Sequence, residues 1–306
     1  MTEFDNLLKE ARELSYANLG RKITFYYPGM FTYYGDVGAY PAISITGKSC
    51  ALKCAHCGGK LLESMIPAET PEKLINACKR VKEKGNFGVL ITGGCLADGS
   101  LPWKKFINAI SYVKENFGLF VSVHTGLIDE DTAKSLASAG IDQALIDVIT
   151  DYETYRNVYN LDSNIPDIIK SLEALKLSNI PIIPHIVVGL NFGKITGEYD
   201  AVKIIKDFDP EALVFVSLMP VSGTQMAKVK PPSAEEIAAL MAKARFDLPY
   251  IPFSLGCVRE RGNHLIDLLA VESGVNRIAL PCDEAVKKAE DYALEIEWKR
   301  TCCSVP

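Results

Sequence analysis

Residues 41–57 of the chain read PAISITGKSCALKCAHC and indicate more about the protein than any other segment. Residues 41–46 are a short run rich in apolar and β-branched side chains, which predicts a β-strand. The loop that follows carries Cys50, Cys54 and Cys57, three thiols within eight residues. Thiols this close can meet at one metal centre when the loop wraps around it. The stretch therefore predicts a strand that runs into a metal-binding loop.

The thiol-rich loop is compatible with three states of its cysteines. Thiolates are ligands for both iron–sulfur clusters and zinc. A 4Fe-4S cluster that is held by three thiolates leaves one iron open for a substrate or cofactor. A structural zinc ion would need His56 or a distant thiol as its fourth ligand. Unligated thiols are the third interpretation, and the ligand preferences favour the iron–sulfur cluster.

The composition is that of a folded chain with a large core. The chain has 306 residues, of which 48% are hydrophobic and 23% are charged, a balance that argues against disorder. The net charge of −5 and the isoelectric point near 5.5 give no broad positive field, so nucleic acid is not expected as a partner. Nine cysteines cannot all pair in internal disulfides, because their number is odd.

The amino terminus carries no recognisable targeting signal. Residues Met1 to Leu8 lack a basic segment followed by an apolar one. No stretch approaches the roughly 18 consecutive apolar residues of a membrane span. We therefore expect a cytoplasmic protein that has no membrane partner and whose thiols stay reduced. Clustered, reduced thiols indicate a metal site or catalysis.

From residue 41 onward, short strand-like runs alternate with helical patterns. The predicted strands cover residues 41–46, 88–92, 119–124, 143–148, 182–188, 212–218, 250–255 and 276–280. The predicted helices between them include 71–84, 102–116, 130–139, 164–177, 197–206, 233–245 and 283–292. Eight such units in about 250 residues predict an α/β fold, a (β/α)8 TIM-type barrel. A doubly wound open sheet is the alternative, but no Gly-x-Gly-x-x-Gly motif follows the first strand.

The barrel is predicted to span residues 41–292, between two shorter segments. The N-terminal extension, residues 1–40, combines a helix over 4–18 with an aromatic stretch over 25–40 that is expected to form a loop or lid. The C-terminal tail, residues 293–306, is expected to be a short appendage that carries two cysteines. Active sites of parallel barrels lie in the loops after the strands, so the thiol-rich loop is expected on the functional face.

A Cys-x3-Cys-x2-Cys loop after the first strand of an α/β barrel resembles the radical S-adenosylmethionine (SAM) superfamily. The resemblance implies a radical SAM barrel in which Cys50, Cys54 and Cys57 hold a 4Fe-4S cluster. It also implies that the open iron chelates SAM, whose reductive cleavage gives a 5′-deoxyadenosyl radical. His56 stands where the family usually has an aromatic residue, and it keeps a ring available for stacking on the cofactor.

The segment after the second predicted strand, Thr92-Gly-Gly-Cys95, resembles the family's Gly-Gly-Glu type motif, which holds the methionine amino group. Gly93 and Gly94 match the motif, whereas Cys95 replaces the acidic residue. The resemblance therefore implies cofactor binding at these positions, with a weakened amino-group contact or one made by backbone carbonyls. Three further segments resemble biotin-synthase-like members: 146–156, 184–190 and 218–224.

Polar residues near the ends of the later strands are further candidates for cofactor binding. Asp147 and Glu153 could receive the cofactor ribose or a substrate amide, or they could cap the next helix. His185 and His124 could bind cofactor or orient substrate, and a buried, hydrogen-bonded histidine is the alternative for each. Arg259 has a guanidinium suited to the cofactor carboxylate, and a surface salt bridge is its competing role.

Within the superfamily, the chain resembles the biotin synthase and lipoyl synthase branch, and most of all one subunit of the archaeal-type two-component lipoyl synthase. Such an enzyme inserts sulfur into an octanoyl chain on a lipoyl carrier protein, a step of lipoate biosynthesis. The resemblance implies three partners: a second radical SAM subunit, the octanoylated carrier protein, and an electron donor such as ferredoxin or flavodoxin.

Sulfur insertion also needs a sulfur source, which a second 4Fe-4S cluster held by thiolates could supply. Cys257 and Cys282 follow the seventh and eighth predicted strands, and Cys302 and Cys303 lie in the tail. These four thiols are candidate ligands for a second cluster. Cys78 lies inside a helical pattern and is expected to be part of the core.

Two alternatives to sulfur insertion remain open from the sequence. One is a radical SAM enzyme of another cofactor-biosynthesis pathway, which would catalyse methylation, isomerisation or ring formation. The other is a zinc-stabilised barrel without catalysis. The iron content of the protein would separate the zinc-stabilised barrel from both radical SAM interpretations.

Overall fold

The computed structural model describes residues 2–29 and 31–306. Met1 and Met30, which belong to the predicted N-terminal extension, lie outside the described part. The strands are β1 (Lys22–Tyr26), β2 (Thr32–Tyr33), β3 (Asp36–Val37), β4 (Ala42–Ser44), β5 (Ile66–Pro67), β6 (Gly88–Thr92), β7 (Phe120–His124), β8 (Gln143–Asp147), β9 (Ile182–Val188), β10 (Leu213–Ser217), β11 (Phe253–Leu255), β12 (Arg277–Ala279) and β13 (Glu295–Lys299). The helices are α1 (Glu3–Leu19), α2 (Pro71–Glu83), α3 (Ile107–Phe117), α4 (Glu130–Ser138), α5 (Tyr152–Asn157), α6 (Ile165–Leu177), α7 (Glu198–Ile205), α8 (Ala234–Asp247), α9 (His264–Glu272) and α10 (Asp283–Asp291).

Eleven strands form one parallel sheet in the order β13-β1-β12-β11-β10-β9-β8-β7-β6-β4-β5. The eight predicted barrel strands are β4 and β6 to β12, and they lie side by side in chain order, which confirms the α/β TIM-type architecture. The sheet curls but stays open. Among the described residues β4 and β12 do not pair, and β5 and β13 form the outer edges. The fold is therefore the half-barrel form of the predicted barrel.

The two faces of the sheet carry two different apolar clusters. Side chains alternate along a strand, so neighbouring residues of β10 point to opposite faces. Phe215 packs in the main core under the helices, whereas Val214 and Val216 pack in a second cluster on the concave face. We call the concave space lined by this second cluster the lumen. All five residues of β10 are buried, as expected for a strand that is covered on both faces.

The helices begin where the sequence supplies capping residues. The side chains of Thr70 and Asp129 accept backbone N–H groups at the starts of α2 and α4, and Ser233 forms a capping box with Glu236 at α8. The predicted helices are confirmed to within a few residues, except that α3 starts at Ile107, after a short 3-10 turn. Among the described residues, no helix combines the length and the apolar character that crossing a membrane requires.

The N-terminal segment is part of the main sheet. The predicted helix over 4–18 is α1, which packs against α8 and α9. In the aromatic stretch over 25–40, which was expected to be a loop or lid, the structure instead has the end of β1 and an antiparallel hairpin of β2 and β3. β1 lies between β12 and β13, a pairing between distant segments that no local pattern reveals. The boundaries at residues 40 and 292 stay predictions.

The end of the C-terminal tail, residues 301–305, is largely buried, although the sequence suggested an appendage. After β13 the chain turns into the lumen, where the Tyr26 hydroxyl donates to the backbone oxygen of Val305 over 3.1 Å. The Ser254 hydroxyl donates to the oxygen of Cys303 over 3.0 Å, and the Gln143 amide donates to Ser304 Oγ over 3.2 Å. These polar groups of the sheet satisfy two backbone oxygens and one hydroxyl of the tail, which is why it can enter an apolar space.

Candidate active site

The cysteine loop, residues 47–59, leaves the carboxyl end of β4 and is fastened by its backbone to neighbouring segments. The N–H of Ala51 donates to the oxygen of Cys95 over 2.8 Å, just after β6. The N–H of Ala55 donates to the oxygen of Val158 over 2.7 Å, just after α5. The loop therefore has a fixed shape at the end of the sheet where parallel barrels carry their active sites.

The ligand atoms of this loop lie close together. One atom each from Cys54, His56 and Cys57 lie within 4.8 Å of one another. Cys50 packs against the same apolar cluster as the other two thiols. The hydrogen bond from the Cys54 thiol, helped by His56, outweighs burial and lowers the pKa of Cys57 to about 4, while it raises the pKa of Cys54. The loop thus presents a thiolate, the form that binds metals.

The unpaired ring nitrogen of His56 indicates whether the loop fits a metal cluster. Its Nδ1 is buried and has no hydrogen-bond partner among the described residues, and its ring lies 5.6 Å from the ring of Tyr159. Buried polar atoms are normally paired, so an open ring nitrogen beside two thiols marks a place for a further group. Three thiols and this nitrogen fit an iron–sulfur cluster, and by donor type alone they also fit zinc.

The two glycines after β6 make a close approach to the cysteine loop. The N–H of Gly94 donates to Thr46 Oγ1 over 2.6 Å. A Cβ atom at Gly94 would lie 2.1 Å from the oxygen of Ser49 and 2.6 Å from Cys50 Cβ, and one at Gly93 would lie 3.0 Å from Thr46 Oγ1. Only glycine allows the backbone to come this near the cluster-binding thiols. Cofactor binding by Gly93 and Gly94 stays a prediction.

Cys95 lies next to the same loop. It is partly buried and packs against both the main core and the cluster of the cysteine loop. Burial, together with the charges of Cys50 and Asp147, raises the pKa of Cys95 to about 12, so its side chain is a neutral thiol. A neutral thiol cannot supply the negative charge of the family's acidic residue, so cofactor binding by Cys95 stays a prediction.

Asp147 and two histidines form a polar group at the lumen, on β7, β8 and β9. His124 Nε2 lies 3.4 Å from Asp147 Oδ1, and the rings of His124 and His185 are 5.5 Å apart. Burial opposes both charges of the pair, but mutual attraction outweighs it: the pKa of His124 is raised and that of Asp147 is lowered to about 2. Burial and the neighbouring His124 lower the pKa of His185 to about 4. The group therefore combines an ion pair with a neutral imidazole.

Glu153 does not join the predicted site. It is exposed on α5 and accepts a hydrogen bond of 2.7 Å from the Asn157 side chain, one helical turn away. The cap of α5 is Asp151, whose carboxylate accepts the N–H of Thr154. The expectation that Glu153 contacts the cofactor is therefore not supported by its position, because the helix turns this side chain to solvent.

Arg259 is also placed differently from the expectation. It is 2% exposed and forms a two-point ion pair with Asp267, at 2.6 and 2.8 Å. Its remaining N–H groups donate to the backbone oxygens of Gly256, Ala279 and Leu280. A guanidinium whose donors are all engaged has none left for a cofactor carboxylate. Its role in this structure is to bind the loops after β11 and β12 together.

The four candidate thiols of a second cluster fall into two places. Cys303 is buried in the lumen, and Cys257 and Cys302 pack against the same luminal cluster. Hydrogen bonds from Cys303 and Ser304 outweigh burial and lower the pKa of Cys302 to about 6. Cys282 lies apart, at the start of α10, where its thiol is 3.8 Å from the oxygen of His264. The structure thus groups three of the four, and Cys282 is not among them.

Two residues near the cysteine loop were not singled out from the sequence. Thr46 fixes the N–H of Gly94, and it could have been found as the polar residue that ends the first predicted strand. Tyr159 lies against His56, and its backbone oxygen is 3.9 Å from Cys54 Sγ. No local signal points to Tyr159, because about a hundred residues separate it from the loop. Cys78 is fully buried in α2, as expected for a core residue.

The parallel half-barrel, the thiol-rich loop after its first barrel strand and the glycines that face this loop define a class of protein: an α/β enzyme built around a metal cluster. The family model described as the Radical SAM superfamily matches residues 44–207, more than half of the chain. The chain belongs to the radical SAM superfamily. Membership implies a 4Fe-4S cluster and S-adenosylmethionine as cofactors.

The chain is similar to curated biotin synthases over most of its length. It is 26% identical to the biotin synthase of Hyphomonas neptunium over 258 residues, which cover 80% of this chain and 77% of that protein. It is 23% identical to the biotin synthase of Clostridium acetobutylicum, over 76% of this chain and 73% of that protein.

Solved structures confirm the fold. Methylornithine synthase (PylB) superposes with a TM-score of 0.67 at 17% identity, covering 97% of this chain and 90% of that one. The FeFe-hydrogenase maturase HydG from Carboxydothermus hydrogenoformans superposes with a TM-score of 0.69 at 18% identity, covering 97% and 72%. At these identities the likeness concerns the radical SAM half-barrel and not the reaction.

Proposed function

We propose that this radical SAM enzyme forms carbon–sulfur bonds by inserting sulfur into an octanoyl chain that is attached to a lipoyl carrier protein. The observation that carries the proposal is the position of three thiols in the lumen, where Cys303 is buried and Cys302 and Cys257 pack against the same cluster. These thiols lie on the same concave face as Asp147 and its partner His124. The charge of Cys302 contributes to the raised pKa of His124. The curated relatives are named biotin synthases, and biotin is itself a sulfur-containing cofactor.

The cysteine loop and the glycines after β6 would serve the radical chemistry. Cys50, Cys54 and Cys57 would hold the 4Fe-4S cluster, and the backbone of Gly93 and Gly94 would face S-adenosylmethionine. When bound, these cofactors supply a 5′-deoxyadenosyl radical, which can react with an unactivated C–H bond. The chain's own contribution is to hold the reactants in place and exclude water, and selectivity then follows from position and not from acid–base groups.

The walls of the lumen suit an acyl chain. The residues that surround the tail are apolar and come from neighbouring strands: Leu145, Ile183, Val187, Val214 and Val216. The tail already covers most of these side chains, and Val187 is the one that stays partly exposed. An octanoyl chain would therefore lie beside the tail, at this partly exposed apolar surface, whose removal from water favours binding.

The three luminal thiols would hold the sulfur source. We assign Cys257, Cys302 and Cys303 as candidate ligands of a second 4Fe-4S cluster. The low pKa of Cys302 supports this assignment, because a thiolate is the form that binds iron. Cys303 is the more deeply buried of the adjacent pair, so Cys302, which is partly accessible, is the better placed ligand.

The partners follow from the same proposal. The substrate is carried by the octanoylated carrier protein, and ferredoxin or flavodoxin would supply the electrons. Lipoate carries two sulfur atoms, so a second radical SAM subunit would insert one of them. This chain would then act either on the octanoyl group or on an octanoyl group that already carries one sulfur.

A labelled substrate tests this proposal without the partner subunit. The anaerobically reconstituted protein is incubated with reductant, S-adenosylmethionine and a lysyl peptide that carries a perdeuterated octanoyl group, with or without one sulfur already in place. We expect deuterium in the 5′-deoxyadenosine from one of the two peptides, and none with an acetyl peptide as control. If neither octanoyl peptide transfers deuterium while 5′-deoxyadenosine still forms, the octanoyl chain is not the substrate.

A further inference from the structure

Three metal-ligating side chains meet at the rim of the half-barrel, outside the site described above. They are His264, the first residue of α9, Cys282, which precedes α10, and Glu284, in the first turn of α10. Their ligand atoms all lie within 4.8 Å of one another. We call this group the rim site. Nothing in the radical chemistry uses these side chains.

The three side chains of the rim site already contact one another. His264 Nδ1 lies 3.0 Å from Glu284 Oε1, which is an ordinary ion pair or hydrogen bond. The Cys282 thiol, a weak donor, lies 3.8 Å from the backbone oxygen of His264 and also interacts with the Glu284 carboxylate. Imidazole nitrogen, thiolate sulfur and carboxylate oxygen are all zinc ligands, at about 2.0–2.3 Å from the metal. Ligands at such distances lie roughly 3.5 Å apart, so only small side-chain movements would close the site around zinc.

The turn that carries Cys282 is held in place from behind. The backbone N–H of Cys282 donates to Asp267 Oδ2 over 3.0 Å. Asp267 is itself fixed by the buried Arg259 through both carboxylate oxygens. On the other side, the Tyr33 hydroxyl donates to the oxygen of Pro281 over 3.0 Å. Supports of this kind orient metal ligands before the metal binds.

Access and charge also suit a cation. The side chains of His264 and Glu284 are each 54% exposed, so an ion can enter from solvent. The amino ends of α9 and α10 both point to this region and would repel a cation. The carboxylates of Asp283 and Glu284 in the first turn of α10 offset that field. The thiol would lose its proton to solvent when the metal binds.

The rim site is distinct from the luminal thiols. Cys282 packs at the edge of the main core, whereas Cys257, Cys302 and Cys303 pack in the lumen. Cys282, which the sequence suggested as a ligand of a second cluster, therefore has different neighbours from the other three candidate thiols.

We propose that the rim site binds one zinc ion through His264, Cys282 and Glu284, with water in the remaining position. The ion would tie the start of α9 to the start of α10 at the mouth of the half-barrel. The hairpin of β2 and β3 contacts the same turn, through Tyr33 on Pro281 and Tyr34 on Asp283, so the metal would also steady this hairpin.

Zinc binding is tested on the cluster-loaded protein, in which iron already occupies the cysteine loop. Zinc is added, the excess is removed by gel filtration, and zinc and iron are counted by mass spectrometry. We expect one zinc per chain beyond the iron, with one sulfur neighbour in zinc K-edge X-ray absorption. Cys282→Ser should lose the sulfur neighbour and weaken zinc binding by at least about 100-fold, since even changes behind the ligands cost 10–100-fold.

Two further variants and one control complete the test. His264→Asn and Glu284→Gln should each weaken zinc binding, and all three variants should keep the iron content and 5′-deoxyadenosine formation of the parent. Glu290→Gln, an exposed carboxylate further along α10, should bind zinc as the parent does. Parent protein without bound zinc, or Cys282→Ser with the parent's zinc content and sulfur neighbour, would overturn the proposal.

Discussion

The cysteine loop and the C-terminal tail carry the same chemical pattern in different surroundings. In each segment one thiol has a lowered pKa and its hydrogen-bonded neighbour a raised one. The pKa of Cys57 is lowered to about 4 beside Cys54, and the pKa of Cys302 is lowered to about 6 beside Cys303. The pairs are therefore alike in their own chemistry, and any difference in role must come from what surrounds them.

The surroundings differ in how the backbone is held and in what the thiols face. The cysteine loop is fastened by backbone hydrogen bonds at the end of the sheet, it faces glycines, and it carries an open ring nitrogen on His56. The tail is held by side chains of the sheet, Tyr26 and Ser254 among them, and it faces apolar walls. The comparison teaches how the two segments would divide the proposed reaction: the loop would hold the radical cofactors, and the tail would hold the sulfur source.

The largest expected effect comes from the cysteine loop. Cys54→Ser or Cys57→Ser removes a ligand of the radical-generating cluster, so about four iron atoms per chain should be lost and 5′-deoxyadenosine formation abolished. Iron content and product are measured on anaerobic protein. Cys78→Ala, a core thiol remote from the loop, is the control and should keep both. Full activity in Cys54→Ser would show that the loop does not hold the cluster.

The second effect concerns the tail. The double variant Cys302→Ala and Cys303→Ala should reduce iron from about eight to about four atoms per chain, because only the second cluster is lost. Val305→Ala loosens the same buried segment without removing a thiol, so its iron content should match the parent. Iron that stays at the parent level in the double variant would remove the tail thiols from the list of ligands.

A smaller effect is expected at the glycine that faces the loop. Gly94→Ala forces a methyl group against Ser49, which should destabilise the protein by about 1–3 kcal/mol and weaken SAM binding about tenfold or more. Gly88→Ala, at the other end of β6, meets the oxygen of Phe120 at the same 2.1 Å and serves as the matched control. It should lose stability but keep the SAM affinity. Equal SAM affinities in both variants would contradict a cofactor role for Gly94.

The smallest effect is a pH dependence at the polar group of the lumen. The raised pKa of His124 gives stability that is present below about pH 6.5 and is lost as pH rises through its folded value. The lowered pKa of Asp147 gives stability that is present above about pH 4 and is lost as pH falls towards 2. Asp147→Asn should therefore cost about 1 kcal/mol near pH 6, and less at pH 9.

Thermal unfolding at the two pH values measures this difference. Asp142→Asn breaks a pair with Lys114 that involves no histidine, so its cost should be equal at both pH values. A cost of Asp147→Asn that does not depend on pH would show that His124 does not change its charge between the two pH values.

The sequence predicts the eight barrel strands and the cysteine loop because both are local patterns. A strand such as β10 is an apolar run between helical segments, and the three thiols of the loop lie within eight residues. The places where the prediction was wrong depend on distant pairings. Arg259 forms hydrogen bonds with Asp267 and with three backbone oxygens across two loops. The hydrogen-bond partners of the tail lie on strands that are far away in the chain. The direction of the Glu153 side chain depends on how α5 is rotated about its axis, and a helix of six residues is too short for the sequence to reveal this.

The division of roles between the loop and the tail is tested most directly by one reaction, with the double variant Cys302→Ala and Cys303→Ala beside the parent protein. Both are given reductant, S-adenosylmethionine, the partner subunit and the octanoyl-lysyl peptide, and 5′-deoxyadenosine and sulfur-bearing peptide are measured together. The account predicts that both proteins form 5′-deoxyadenosine and that only the parent forms the sulfur-bearing peptide. The same yield of sulfur-bearing peptide per 5′-deoxyadenosine from the variant would contradict it.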